Sequence, residues 1–336
     1  MRVSAVLSVL AGLAIVIGLV MANGVAGIGA GIAAAGWGIV AVIAIHLPQV
    51  FCSALGWRAL ASGSRTPSWQ AFFGLRLIRE GVNALLPVAQ IGGHLVGARL
   101  LAQAGVPLSV AGAGVAADLT LEMLSQVVFT VLGVGLLAAG SQTAGLSGHM
   151  AGGVLAAIAI LTAVFVIAQR FGLFRVLEGG LLRLAKRQNW KGLTGLTGLH
   201  LAIAAIYRSP RRLIVGGTCH FAAWLLGGFE VMVGLHVLGV PVGFRDATII
   251  ESLGQAFRAV GFAVPGGLGV QEGGVLLICT LLGIGPQTAI ELSLLRRIRE
   301  LALGVPALTA WYWIERPYAG ALASPHEDEP CRETTS

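Results

Sequence analysis

The chain has 336 residues, of which 56% are hydrophobic and only 11% charged, with a formal net charge of +7 and a mean hydropathy of +0.85. Soluble globular proteins carry about 25% charged residues, so this composition excludes a water-soluble fold. It predicts an all-α polytopic membrane helix bundle, in which the 49 glycines let helices pack closely.

The sequence shows no sign of a nucleic-acid partner, a metal site or a cofactor. The basic residues lie beside apolar spans, so no nucleic-acid partner is expected. The four cysteines lack metal-ligand spacing, and nucleotide-binding and soluble-enzyme motifs are missing. We therefore expect no cofactor, no metal site and no catalytic residue of a known soluble type.

The apolar spans are read from the N-terminus. Residues 3–22 form a run of about 20 residues, the length that crosses a bilayer core. A cleaved signal peptide would have an apolar region of about 7–15 residues, so we expect a retained helix with a cytoplasmic N-terminus. The further expected spans are residues 37–56, 108–140, 150–169, 213–238 and a terminal stretch at 287–314.

A basic segment separates the two halves of the chain. Residues 170–212 contain nine of the 22 Lys and Arg side chains and a single acid, Glu178. The positive-inside rule predicts that this segment is cytoplasmic, either as a surface helix or as an ordinary loop. We expect one integral membrane domain over residues 1–320 and a disordered polar tail over 321–336.

A charged apolar segment broken by Pro and Gly occurs once in each half. The first copy reads REGVNALLPVAQIGGH at 79–94, and the second reads QAFR at 255–258 followed by PGGLGVQEG at 265–273. Proline breaks a helix, and the freed backbone groups must face protein or water rather than lipid. Such segments in corresponding halves point to a transporter's binding site. Crossing counts predict two re-entrant segments in an inverted repeat, with halves at about 69–140 and 246–314.

The repeat extends into a long helix in each half. Asp118 lies eleven residues after Pro107, and Arg297 lies eleven after Pro286. Glu122 and Glu300 follow one turn later. A charge at mid-membrane costs about 2.5–3.5 kcal/mol on insertion scales and normally faces a partner or a wet cavity. We expect a substrate cavity, with ion pairs that only fix the packing as the alternative.

The polar residues of these segments are the candidate site. Arginines could bind a phosphate headgroup, and Glu80, Glu272 or His94 could carry protons. His46, His220, His236 and Glu230 are interpreted as packing or hydrogen-bonded residues. The candidate substrate-binding residues are Arg79, Glu80, Asn83, Pro87, Gln90, Arg99, Asp118, Glu122, Arg258, Pro265, Gly269, Gln271, Glu272 and Arg297.

These motifs, together with the DLTLE sequence at 118–122, resemble the hopanoid-biosynthesis-associated membrane protein family. That family is similar to the flippase-like membrane region of lysylphosphatidylglycerol synthases. The resemblance covers nearly the whole chain to about residue 316, and it implies a bacterial inner-membrane protein that moves a lipid between leaflets. One departure is His94, which stands where the family commonly has an acid.

The resemblance favours a transporter or flippase for a hopanoid or related lipid. One alternative is a membrane enzyme that modifies a lipid headgroup, with Glu80 and Glu272 as general acid and base. Another is a scaffold that holds hopanoid-synthesising enzymes through residues 170–212. The printed sequence contains no soluble domain able to transfer an amino acid, so synthase activity is not expected.

Overall fold

The computed structural model describes residues 17–18, 20–22, 24–61, 66–86, 92–140, 193–260 and 269–323, and all regular secondary structure within them is helical. The all-α membrane bundle is confirmed. Most of the expected span at 3–22, all of the span at 150–169, residues 170–192 and the end of the tail lie outside the described residues. The helices are α1 Val25–Ala35, α2 Gly38–Leu60, α3 Trp69–Leu85, α4 Gly92–Gln103, α5 Leu108–Ala138, α6 Leu193–Tyr207, α7 Pro210–Val237, α8 Phe244–Val260, α9 Val270–Leu281 and α10 Pro286–Ala323.

Three of the described helices, α2, α5 and α7, are long and apolar enough to cross a membrane. They coincide with the expected spans at 37–56, 108–140 and 213–238. On α5, the apolar side chains Leu124, Val128 and Val131 are exposed, which is the helical spacing of a face in contact with lipid. Helix α7 begins at Pro210, where a proline costs no hydrogen bond, so part of the basic segment is helical.

The two broken segments form matching units. Helices α3 and α8 have 17 residues each, and the following helices, α4 and α9, have 12 each. In both units the two helices pack against each other as a hairpin. A long helix follows, α5 with 31 residues and α10 with 38. The described helices therefore follow the same order in both units: a 17-residue helix, a 12-residue helix and then a long one.

The turn into each long helix is also repeated. Gly105 and Gly283 have φ values of 92° and 76°, in the left-handed region that glycine adopts without strain. Their backbone N–H groups donate to Ala102 and Thr280 at 3.0 and 3.1 Å. The following proline stands at or next to the first residue of the helix. Glycine therefore ends one helix and proline begins the next in both halves.

The halves are interlocked by helix packing. Helix α3 of the first half packs on α10 of the second, and α8 packs on α5. Gly81 lies at the first crossing, where an added Cβ would stand 3.1 Å from the carbonyl oxygen of Gly304. At the second crossing, a Cβ on Gly133 would collide with Ser252. Because small residues allow this approach, each hairpin is held against the long helix of the other half.

Candidate functional site

A cavity of about 240 Å³ lies among α2, α3, α5 and α7 to α10, with His94 of α4 in its wall. Both halves of the repeat contribute to it. Eleven of its 25 lining residues are ionisable, which is unusual inside a membrane domain. The charged lining residues are Arg76, Arg79, Glu80, Glu122, Glu251, Arg258, Arg296, Arg299 and Glu300.

In the first half, Arg76 forms hydrogen bonds with two carboxylates, those of Glu122 and Glu80. Its Nη1 and Nη2 atoms donate to the two carboxylate oxygens of Glu122 at 3.2 and 2.6 Å. Its Nε donates to Glu80, one helical turn later, at 2.9 Å. Such two-pronged charged hydrogen bonds fix geometry as well as charge. The side chain of Arg76 therefore ties α3 to α5 across the wall of the cavity.

Arg79, one turn further along α3, is 2% exposed. Its Nη1 donates to Asp118 at 2.7 Å, and its guanidinium lies 4.5 Å from the ring centre of Trp57. Its Nη2 lies 2.7 Å from Nδ1 of His94, which must accept because a guanidinium only donates. Asp118 is fully buried and also bonds to His220 at 2.8 Å. Asp118 thus supports the wall from behind and is not part of the cavity lining.

In the second half, the ion pairs connect α8 to α10. Glu251 pairs with Arg296 and accepts a hydrogen bond from Gln255 at 2.8 Å. Arg258 donates to Glu300 at 3.2 Å through Nη1. These pairs are the counterparts of the α3–α5 pairs, so ion pairs bridge the hairpin helix and the long helix of each half.

An ion pair at equivalent positions has its charges reversed between the halves: Nη1 of Arg76 lies 3.7 Å from Oδ2 of Asp118, and Glu251 pairs with Arg296. Arg76 and Glu251 are both the eighth residue of their helices, α3 and α8. Asp118 and Arg296 are both the eleventh residue, of α5 and α10. The sequence predicts Arg297 as the residue equivalent to Asp118 in the other half. Counting from the helix starts shows that the equivalent residue is Arg296 instead.

Arg297 belongs to a different arrangement. Its Nε and Nη2 donate to Oε1 of Glu272 at 2.9 and 2.7 Å, and its Nη1 donates to Glu300 at 2.7 Å. Oε2 of Glu272 accepts the backbone N–H of Gly269 at 2.7 Å, at the start of α9. Gly269, Glu272 and Arg297, which are predicted from the sequence to belong to the substrate site, contact one another at the start of α9 and lie outside the cavity lining formed by the described residues.

His46 of α2 joins the two halves. Its Nδ1 lies 2.8 Å from Glu230 of α7, and its Nε2 lies 3.4 Å from Glu80 of α3. Glu230 also pairs with Arg299 of α10. The hydrogen bonds expected for His46, His220 and Glu230 are present, and His236 is exposed near the end of α7. His46 and Glu230, however, belong to the charged network rather than to ordinary packing.

Several polar atoms of the cavity wall are buried without a partner among the described residues. They are Oε1 of Gln49, Nε of Arg79, Oε1 of Gln271, Nη1 of Arg296 and Nε of Arg299. Gln271 and Arg296 are each 5% exposed. A buried donor or acceptor left without a partner costs about 1–3 kcal/mol. Both sides of the cavity wall therefore contain polar groups whose hydrogen-bonding capacity is not fully used.

Not all predicted residues reach the cavity. Arg99 of α4 lies apart from the lining and pairs with Glu315 at 3.2 Å. Asn83 lines the cavity and accepts the N–H of Gly93 at 2.9 Å, tying α3 to α4. Pro87, Gln90 and Pro265 lie outside the described residues. The predicted residues that line the cavity are Arg79, Glu80, Asn83, Glu122, Arg258 and Gln271.

Sequence reasoning missed Arg76 and Glu251, and it left Arg296, Arg299 and Glu300 out of the candidate site. Helical spacing was the available signal: Arg76 lies three residues before Arg79, and Glu251 lies seven before Arg258. Residues three, four or seven apart share one helix face. No group of three metal-ligating side chains capable of holding an ion occurs in the described part of the chain.

Comparison with known families identifies the chain. The family described as the lysylphosphatidylglycerol synthase TM region matches residues 8–307. The chain belongs to this family. It is a multi-pass membrane protein related to lipid modification or lipid flipping, and the expected similarity to that region is confirmed. Comparison with curated proteins and with solved structures gives no match.

Proposed function

We propose that the protein is a lipid transporter of the bacterial inner membrane that moves a lipid between leaflets, with the headgroup passing through the charged cavity. One observation carries the proposal. A cavity inside a membrane bundle is lined by charged side chains from both halves. Ion pairs that served only packing would not require an open space between them.

The chemistry of the wall suggests how a headgroup is held. Arg258 makes a hydrogen bond to Glu300 at 3.2 Å and keeps 19% of its side chain exposed. With Arg296, it offers donors to a phosphate or another anionic group. Glu80 and Glu122, with 32% and 19% of their side chains exposed, offer acceptors on the opposite half. The site therefore suits a headgroup that carries both acceptors and donors.

The repeat suggests how the lipid moves. In transporters with inverted repeats, one half rocks against the other around a central site. Here the two halves present charged side chains to the same cavity, so such a motion would change the spacing between the two charged walls. We expect the two hairpins to enter from opposite faces, with the N-terminus in the cytoplasm.

The substrate class is proposed from sequence and family together. The resemblance favours a hopanoid or a related lipid, and the family description names an aminoacylated phospholipid for the synthases. Both are amphiphiles with a polar head. The enzyme alternative is less favoured, because Glu272 already uses both carboxylate oxygens to bind Arg297 and Gly269. It is therefore not available as a general acid or base toward a guest in the cavity.

The proposal is tested in proteoliposomes that contain trace phosphatidylglycerol or aminohopanoid with a fluorescent headgroup label. The rate at which inner-leaflet probe becomes accessible to a membrane-impermeant quencher reports translocation. We expect the wild type to accelerate it and Arg258→Ala to lose most of the acceleration. Arg245→Ala is the matched control, since Arg245 is on the same helix but bonds to the carbonyl of Leu136 outside the cavity lining.

The outcome separates the candidate functions. Acceleration with probe of unchanged mass supports transport. A product of altered mass would support the enzyme instead. No acceleration for either probe, or equal rates for Arg258→Ala and the wild type, would overturn the proposal.

A further inference from the structure

A second, largely apolar cavity of about 590 Å³ lies between α3, α4 and α10. Its wall is formed mainly by aliphatic side chains and small residues, including Gly74, Ile78, Leu100 and Pro306. We call it the apolar groove. Leu77 of α3 and Leu303 of α10 line both the groove and the charged cavity. The charged cavity and the apolar groove therefore adjoin each other along α3 and α10.

We propose that the apolar groove holds a hydrocarbon tail of the lipid whose headgroup occupies the charged cavity. This inference rests on the proposed function and adds a second binding site to it. Moving a hydrocarbon tail into polar surroundings costs about 0.8 kcal/mol of free energy per methylene group. Leaving a charged headgroup in hydrocarbon costs several kcal/mol. An amphiphile passing the protein therefore requires a polar and an apolar space side by side.

The dimensions of the groove agree with a tail. Its lining residues on α10 extend from Ala302 to Ile314, which is about 18 Å at 1.5 Å per residue. Gln70 and Gln103 contribute to the lining at the start of α3 and the end of α4, away from Leu77. A chain that entered beside Leu77 and Leu303 would thus run along α10 through aliphatic surroundings.

Gly74 gives a way to fill the groove without disturbing the fold. A Cβ at this position would meet no atom within 4 Å, so a larger side chain occupies the groove rather than a neighbouring helix. Gly217 of α7 is equally open and lines neither cavity. Both glycines lie inside helices, so Gly74→Leu and Gly217→Leu gain the same helix propensity. The two variants form a matched pair, because only Gly74→Leu adds a side chain to the apolar groove.

The test uses a phosphatidylglycerol whose palmitoyl chain carries a photoreactive diazirine, reconstituted with the wild type and with each variant. We expect wild-type labelling of groove residues on α3 and α10. Gly74→Leu should lower it about tenfold, which corresponds to about 1.4 kcal/mol. Gly217→Leu should leave it unchanged. Heating in detergent checks that both variants remain folded.

A translocation arm separates this inference from the proposed function. Gly74→Leu should slow the long-chain probe while leaving a short-chain analogue with the same headgroup at the wild-type rate. Equal labelling and equal long-chain rates for Gly74→Leu and Gly217→Leu would overturn the groove assignment alone. If the wild type moves neither probe, the proposed function fails instead.

Discussion

The pair formed by Glu251 and Arg296 allows a test of how strongly the charges are coupled. Both residues are nearly buried, at 3% and 5% exposed. In Arg296→Met, Glu251 keeps its hydrogen bond from Gln255 but loses its buried counter-ion. Removing one partner of a buried ion pair costs about 3–5 kcal/mol. At about 1.4 °C per kcal/mol for 336 residues, from about 2.1 cal/mol/K of unfolding entropy per residue, we expect the apparent Tm in detergent to fall by roughly 4–7 °C.

The double variant provides the control. Adding Glu251→Gln to Arg296→Met removes the stranded charge, so we expect most of the lost stability to return. Because each single change leaves one buried charge without its partner, the coupling between the two changes should exceed about 3 kcal/mol. The assay is heating at a fixed rate followed by size-exclusion chromatography with fluorescence detection. If the double variant is as unstable as the sum of the two single variants, the two side chains are not a coupled buried pair.

Two further changes test other parts of the structure. Gly81→Val should separate α3 from α10 by pressing on the backbone of Gly304, and it should lower the apparent Tm by several degrees, whereas Gly273→Val, which meets open space, should not; equal Tm values would contradict the close crossing. Glu272→Gln keeps an acceptor for the start of α9 but loses the ion pair with Arg297, so hydrogen exchange in α9 should accelerate and translocation should slow. Unchanged exchange would show that the pair does not hold α9.

The hairpins could be predicted because their causes are local. Proline disfavours the continuation of a helix and a glycine with positive φ favours its end, although α2 and α10 continue through Pro48 and Pro306. The end of α3 at Leu85 and the turns before α5 and α10 are therefore readable from the sequence. The spans α2, α5 and α7 follow equally directly from apolar length.

The pairing of charges could not be read in this way. His46 and Glu230 are 184 residues apart, and Arg76 and Glu122 are 46 apart. Only tertiary packing decides which helix faces meet, as where α2 packs on α7 and brings His46 to Glu230. The equivalence of Asp118 with Arg296 shows why residue counting alone does not identify equivalent positions. Neighbouring residues on a helix point about 100° apart, so counting from a proline that stands before one helix and inside the other selects the wrong face.

The central claim is that the charged cavity holds a lipid headgroup. The most direct measurement is mass spectrometry of the lipid that stays bound to protein purified in mild detergent. We expect the wild type and Arg245→Ala to retain a lipid class enriched over the bulk membrane, and Arg258→Ala to retain much less of it. Retained lipid that matches the bulk membrane, or that is equal in all three proteins, would contradict the claim.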